Sequence, residues 1–245
     1  FASDQHFGAP TPELSKPREA KFLAWLDEIK HDAQILFLMG DLFDFWHEWK
    51  YVVPKGYVRI LGKLAELKDS GIDIYFFVGN HDLWMKDYLE EEIGIPVFFE
   101  KQYYEISGKN FLLAHGDGLG PGDKGYKRMK KLFTNPIAQW FFKWLHPDIA
   151  MKIAVYFSTK NKMISGVEDM KFLGEDKEFL ILYSKEKLKS EKIDYFVYGH
   201  RHLPMILDLK IDENAANYVN LGDWISYFTY GVFDGAEFKI EEYKQ

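Results

Sequence analysis

Apolar residues recur along this chain in two alternating rhythms. Between Pro17 and Lys30, Phe22, Leu26 and Ile29 fall at helical spacing, and the apolar run from Ile35 to Met39 then reads as a buried strand. The unit repeats with a helix marked by Val58, Leu61, Leu64 and Leu67, a turn at Ser70-Gly71, and a strand from Ile74 to Val78. Phe111 to Ala114 and Tyr195 to Tyr198 are further apolar, β-prone runs. Beyond them the rhythm changes. Met205 to Ile211, Tyr218 to Leu221, Gly231 to Phe233 and Phe238 to Tyr243 alternate or run apolar, with a tight-turn signal at Asp234-Gly235, and read as antiparallel strands. β-α units followed by a meander predict an α/β fold of two packed sheets flanked by helices. With 245 residues, 47% of them hydrophobic and 28% charged, the chain suits one domain over 1–245 better than two.

Four of the apolar runs end in polar clusters. They are Gly40-Asp41, Gly79-Asn80-His81-Asp82, His115-Gly116-Asp117 and Gly199-His200-Arg201-His202, and a fifth block, Asp4-x-His6, stands near the start. The carboxyl ends of strands are where open α/β sheets bind ligands. There is no cysteine, which excludes disulfides, thiolate-bound zinc and iron–sulfur clusters, so any metal must be held by oxygen and imidazole. On an extended backbone Asp4 and His6 would point to the same face and could grip one cation; a capping turn is the alternative. Asp41 has two carboxylate oxygens and can bridge two cations roughly 3.5–4 Å apart. Asn80 offers an amide oxygen, His81 can reach a substrate oxygen, and Asp82 can accept the His81 proton and fix its tautomer. His115 and the His200-x-His202 pair add three imidazoles at strand ends, a compact metal clamp. His31, His47 and His146 lack such a context.

The order D-x-H, G-D, G-N-H-D, H-G-D and G-H-x-H resembles the calcineurin-like metallophosphoesterase superfamily over nearly the whole chain. The resemblance implies two divalent cations, one held by Asp4, His6, Asp41 and His202 and the other by Asp41, Asn80, His115 and His200. They would activate water for in-line attack on phosphorus, with His81 at the leaving oxygen and Asp82 orienting it. Manganese suits this donor set best, and iron or zinc also fit. Within the superfamily, Gly40-Asp41-Leu42-Phe43-Asp44-Phe45-Trp46, Asn220-Leu221-Gly222-Asp223-Trp224 and Asp123-x-x-Tyr126 are most similar to the UDP-2,3-diacylglucosamine hydrolases of lipid A synthesis. That implies a lipid-linked UDP-sugar substrate, touched by Asn80, Asp123, Lys124 and Tyr126. The chain departs from that pattern with His81 in place of arginine, and with Gly199-His200-Arg201-His202-Leu203-Pro204 in place of Gly-His-Thr-His-Arg-Pro. Arg201 either faces the diphosphate or points away. A phosphoesterase acting on nucleotides, phosphodiesters or phosphoproteins is the alternative enzyme. A non-catalytic scaffold would have broken ligand positions, and here all seven are filled.

Charge then narrows the picture. The net charge of −7 argues against a nucleic-acid coat, so no nucleic-acid partner is expected. Between Lys124 and Lys162, however, nine basic residues face one acid, Asp148, so this segment carries +8 in a chain whose remainder carries −15. It lies in the long interval between His115 and His200, where the family places a helical cap, expected here over 122–170. Asn135 suits an N-cap with Pro136 at the first helical position. Ile137, Trp140, Phe141, Trp144 and Leu145 form one stripe; Ile149, Ile153, Tyr156 and Phe157 form a second, on a helix from Asp148. Basic amphipathic helices of this kind suit an anionic membrane surface or an acyl chain. The alternative is that both stripes pack on the body and the lysines are solvated. No apolar run approaches the roughly 20 residues needed to span a bilayer, and no leader pattern precedes the fold. The chain opens at Phe1 inside a β-prone stretch, compatible with residues upstream. The expected location is cytoplasmic, peripheral on the inner face of the inner membrane, with no obligate protein partner.

Overall fold

The computed structural model describes residues 1–122, 124–165 and 171–244, with backbone alone at 124–125 and 158–165. In chain order the elements are α1 (Pro12–Ile29), β1 (Ile35–Leu38), α2 (Val58–Asp69), β2 (Asp73–Phe77), α3 (Tyr88–Ile93), β3 (Val97–Phe98), β4 (Gln102–Ile106), β5 (Lys109–Leu113), α4 (Lys124–Phe133), α5 (Pro136–Lys143), α6 (Pro147–Ser165), α7 (Phe179–Leu188), β6 (Tyr195–Tyr198), β7 (Met205–Ile211), β8 (Asn214–Asn220), β9 (Thr229–Phe233) and β10 (Phe238–Glu242).

Two sheets form the body. In the first, β1, β2 and β3 run parallel. Phe1 and Ala2 stitch the β9–β10 hairpin to its edge: Ala2 donates to the Phe37 carbonyl at 3.0 Å, and Gly231 donates to the Phe1 carbonyl at 2.8 Å. The second sheet has the order β4-β5-β6-β8-β7. Its inner strands β5, β6 and β8 are parallel, and its edges β4 and β7 are antiparallel. The antiparallel reading of Tyr218 to Leu221 is therefore right only toward β7. The β7–β8 hairpin folds β8 back beside β6, and a strand buried on both faces reads the same in either direction.

The period of two along each strand sorts side chains into layers. Phe37 and Met39 face Phe111, Leu113, Val197 and Val219 across the space between the sheets. Their neighbours Leu36 and Leu38, with Ile74 and Phe76, face outward onto Phe22, Trp25, Leu26, Ile60, Leu64 and Leu67 of α1 and α2. On the other sheet Leu112, Ala114, Phe196 and Tyr198 face outward onto Leu180, Ile181 and Leu188 of α7. The result is the expected two-sheet sandwich with helices on both outer faces.

Helix α1 starts at Pro12, five residues before the expected Pro17. Thr11 caps it, its hydroxyl accepting from the Leu14 amide at 3.3 Å, and Pro12 occupies the first turn. Pro17 denies the Glu13 carbonyl a partner, but both lie on the exposed side where water serves instead. Helix α5 is capped as expected, Asn135 accepting from Ile137 at 2.8 Å and from Ala138 at 3.3 Å. Leu64 is fully buried between α2 and the first sheet. Leu64→Ala is expected to lower unfolding free energy by about 3 kcal/mol, read from the midpoint of a denaturant titration, through lost contact and the cavity left behind.

Candidate metal centre

The polar clusters converge because both sheets end at the same edge of the sandwich. Asp41 follows β1, Asn80 and His81 follow β2, His115 follows β5, and His200 and His202 follow β6. Backbone bonds lock these ends together: Asp4 donates to Gly40 at 3.1 Å, His6 to Asp41 at 2.8 Å, and Gly199 to His115 at 3.0 Å. Side chains at Gly79 and Gly199 would overlap Asp41 and Asp4 respectively, so both glycines are needed for this approach.

Five of the residues meeting here hold left-handed backbones. Their φ values are 58° at Asp4, 46° at His6, 55° at Asp41, 67° at His200 and 53° at His202. Each costs on the order of 1–2 kcal/mol for a residue with a side chain, and such strain clusters at functional sites. The Asp4-x-His6 pair thus comes together, but not on the extended backbone expected of it. The two side chains meet because both residues turn.

Asp41 lies at the middle. Its Oδ2 is 3.6 Å from Nε2 of His6 and 3.5 Å from Nε2 of His115. On the His6 side, Asp4 Oδ1 is 3.7 Å from His6 Nε2 and 3.3 Å from His202 Nε2. On the His115 side, Asn80 Oδ1 is 3.2 Å from His115 Nε2 and 2.8 Å from His200 Nδ1. Asp4, His6, Asp41 and His115 are buried, while Asn80, His81, His200 and His202 form a half-buried rim. The set has a closed floor and an open mouth.

The donors fit divalent cations. Asp4 Oδ1 and both ring nitrogens of His6 are buried without a hydrogen-bond partner, a cost of about 1–3 kcal/mol per group unless something binds them. Asp4, His6 and His202, and likewise Asp4, Asp41 and His115, bring ligand atoms within 4.8 Å of one another. Two imidazoles are aimed from behind. His115 Nδ1 meets the Met39 carbonyl at 2.8 Å and His202 Nδ1 meets Asp223 Oδ2 at 3.0 Å, so each turns Nε2 inward. The other Asp223 oxygen accepts from Ile225, Ser226 and Tyr227 at 3.1, 2.7 and 3.0 Å. Asp223 was legible only as part of a family-like run, because its partner lies 21 residues away.

Asp82 does not orient His81. Its carboxylate accepts from the Gly79 and Leu42 amides at 2.6 and 3.0 Å, tying the second cluster to the first. Burial, with the Asp41 charge beside it, pushes this carboxyl up to about 8. The His81 ring instead meets Asp44, with Nδ1 2.9 Å from its carbonyl and 3.5 Å from its carboxylate. Four residues of turn separate Asp82 from the β2 end, and the Gly79 amide of that turn and the Leu42 amide after β1 capture it first. Arg201 points away from the centre: its guanidinium bonds Glu178 twice at 3.1 Å and the Lys171 carbonyl at 3.1 Å. Tyr126 lies close by, its hydroxyl 2.5 Å from Asp117 Oδ2 and its ring 6.1 Å from that of His200. Asp123 and the side chain of Lys124 lie outside the described residues.

The helical stripe is left open. Phe142, outside the stripe, docks α5 onto the body, its ring 4.4 Å from Trp84, 5.2 Å from His47 and 6.2 Å from Phe45. The Trp84 indole also donates to the Phe133 carbonyl at 2.7 Å. Ile137, Trp140, Phe141 and Trp144 are left between 54% and 73% exposed. Burial against the body therefore does not account for these four residues.

The profile of the calcineurin-like phosphoesterases matches residues 1–204. The chain belongs to this family. Calcineurin-like phosphoesterases are metal-dependent hydrolases, and the oxygen and imidazole set described above supplies what divalent cations need. The chain is 39% identical to a protein named UDP-2,3-diacylglucosamine hydrolase from Porphyromonas gingivalis, over 98% of this chain and 95% of that one. It is 27% identical to the protein of the same name from Edwardsiella ictaluri, over 91% of this chain and 83% of that one. To the one from Yersinia pestis bv. Antiqua it is 26% identical, over 91% and 90%.

Two expectations follow for the metal-free protein. Burial opposes a charge on His115, yet Asp41 and Asp4 raise its imidazolium to about 10. Cation binding at neutral pH must displace that proton, so affinity should rise with pH toward 10 and calorimetry should record proton release in buffers of different ionisation enthalpy. Affinity independent of pH between 6 and 9 would contradict this. Asp223→Ala frees the His202 ring and should weaken cation binding about 10–100-fold in a competition titration.

Proposed function

We propose that this chain is a dimetal hydrolase that cleaves the diphosphate of UDP-2,3-diacylglucosamine, giving 2,3-diacylglucosamine 1-phosphate and UMP in lipid A biosynthesis. Asp4, His6, Asp41 and His202 hold one cation, and Asp41, Asn80, His115 and His200 hold the other. Manganese is the favoured metal, since hard oxygens are mixed with imidazole. The cations supply an acidified water nucleophile and neutralise charge on the phosphoryl oxygens.

The residues of the chain do the rest. Asp41 fixes the spacing of the two halves, because one of its oxygens faces both His6 and His115. His81, held through Nδ1 by the Asp44 carbonyl, keeps Nε2 for the leaving oxygen and acts there as general acid. Asp82 contributes by anchoring the turn that carries Asn80 and His81. Tyr126 and Asn80 contact the substrate from the His200 side, and Asp123 and Lys124 are the other substrate-binding residues.

The observation that carries the lipid assignment is the exposed aromatic face beside the centre. Phe142 and Trp84 join α5 to the loops bearing Asp44 and His81, and the uncovered ring of Trp140 meets Phe141 and Trp144 edge to face at 5.0 and 5.9 Å. A nucleotide phosphodiesterase has no use for such a face, whereas two acyl chains do. The names of the near full-length relatives support the same reading. Helices α4 to α6, within 122–170, form the cap, and their exposed lysines, Lys131, Lys143 and Lys152 among them, meet an anionic membrane surface. No helix among the described residues is long and apolar enough to cross a membrane. The enzyme is placed at the cytoplasmic face of the inner membrane, bound peripherally.

Purified protein with manganese is expected to release UMP from UDP-2,3-diacylglucosamine. Absence of UMP alongside brisk hydrolysis of an aryl phosphodiester would overturn the lipid assignment. Asp41→Ala should lose both metals and activity together. Replacing Trp140 and Phe141 by serine should raise KM for the lipid substrate about tenfold or more, from the apolar area removed, and leave a small phosphodiester unaffected; equal effects on both would make the cap purely structural.

A further inference from the structure

The two flanks of the metal centre differ in chemistry. Beyond His81 and Asp44 lie Phe45, Trp84 and Phe142, the apolar side. Beyond Asn80 and His115 lies a cavity of about 240 Å³, walled by Phe98, Phe99, Lys101, Lys127, Lys130 and the chain from His115 to Leu119. It is contiguous with the centre, since His115 lines it directly and Val78, also in its wall, is two residues from Asn80. Its volume is below the ~300–1,000 Å³ of sites for whole drug-sized ligands, so it takes one fragment of a substrate.

The lining is selective. Phe98 packs on Phe77 at 5.4 Å, giving a fixed aromatic floor, and Phe99 presents a ring that is 51% exposed. Three lysines, Lys101, Lys127 and Lys130, share the lining with these rings. Lys130 pairs with Asp117 at 2.6 Å and Lys127 bonds the Gly120 carbonyl at 2.6 Å, which leaves further N–H donors on each. Glu100, also in the lining, adds a carboxylate acceptor. A flat ring carrying both donors and acceptors, joined to a phosphate, matches this combination; an acyl chain does not.

We propose that this cavity is the nucleoside subsite, with the pyrimidine stacked on Phe99 and the adjoining phosphate directed to Lys101 and Lys127. The assignment rests on the UDP-linked substrate proposed above, and it orients that substrate: base on the His115 flank, acylated sugar on the His81 flank. Phe99 and Lys101 become specificity-determining residues, although neither lies in any of the five polar clusters.

The test is calorimetric titration of the manganese-loaded protein with UMP and, separately, with ribose 5-phosphate. The wild type is expected to bind UMP at least tenfold more tightly. Phe99→Ala should erase that margin, weakening UMP about tenfold while leaving ribose 5-phosphate where it was, because stacking on an aromatic ring acts on the base alone. Lys101→Ala should weaken both ligands alike. The proposal is overturned if wild type binds the two equally, or if Phe99→Ala changes both or neither. Phe99 is a surface residue, so its loss leaves the core intact. UMP binding is read without turnover; a stacked UMP in a protein that ignores the lipid substrate would keep the subsite and remove only the lipid.

Discussion

Everything at the end of this sandwich is arranged around two carboxylates that have left water. Asp4 and Asp41 are 0% and 1% exposed, and the groups facing their oxygens are imidazoles and backbone amides. Isolated buried charges are among the most expensive features a protein can carry, and they persist where a partner of opposite charge is supplied. Divalent cations are that partner. The same need explains the left-handed backbones and the paired glycines: only a sharply turned chain brings the ends of two different sheets close enough to share Asp41. Burial, despite opposing ionisation, does not prevent Asp41 from being held well below the usual carboxylate range, because His115 and His81 surround it.

The surroundings divide the labour around that core. Met39, Asp223 and Asp44 each take one ring nitrogen of a histidine and so decide which nitrogen faces inward. Asp117 ties α4 to the site through Tyr126 and Lys130. Phe142 ties α5 to the opposite flank. Two chemically unlike flanks then stand on either side of one reacting centre, an arrangement suited to a substrate with unlike halves joined by a diphosphate.

Much of this was legible in the chain. The continuous apolar runs and the polar residue after each located four strands and their ligand-bearing ends, because burial on both faces leaves an unbroken apolar signature. The pairing of Asn135 with Pro136 located the start of α5 for a similarly local reason. Other features were not legible. Asp82 and Asp44 both lie near His81, and only the fold decides that amides claim the first while the imidazole meets the second. The role of Asp223 depends on contacts 21 residues apart in the chain. The stripe on α5 marked an apolar face correctly but not what it faces, since Phe142, off the stripe, is the residue that docks. Edge strand β4 and helix α7 were missed, the first because alternation between three half-buried and two exposed residues is faint, the second because its sequence mixes apolar and basic residues around the helix.

The account stands on Asp41 serving two cations at once. Electron paramagnetic resonance of the manganese-loaded protein, with metal content measured on the same sample, tests this most directly. Two manganese ions per chain with an exchange-coupled spectrum is the predicted result. One ion per chain, or two giving only the six-line pattern of isolated manganese, would contradict it.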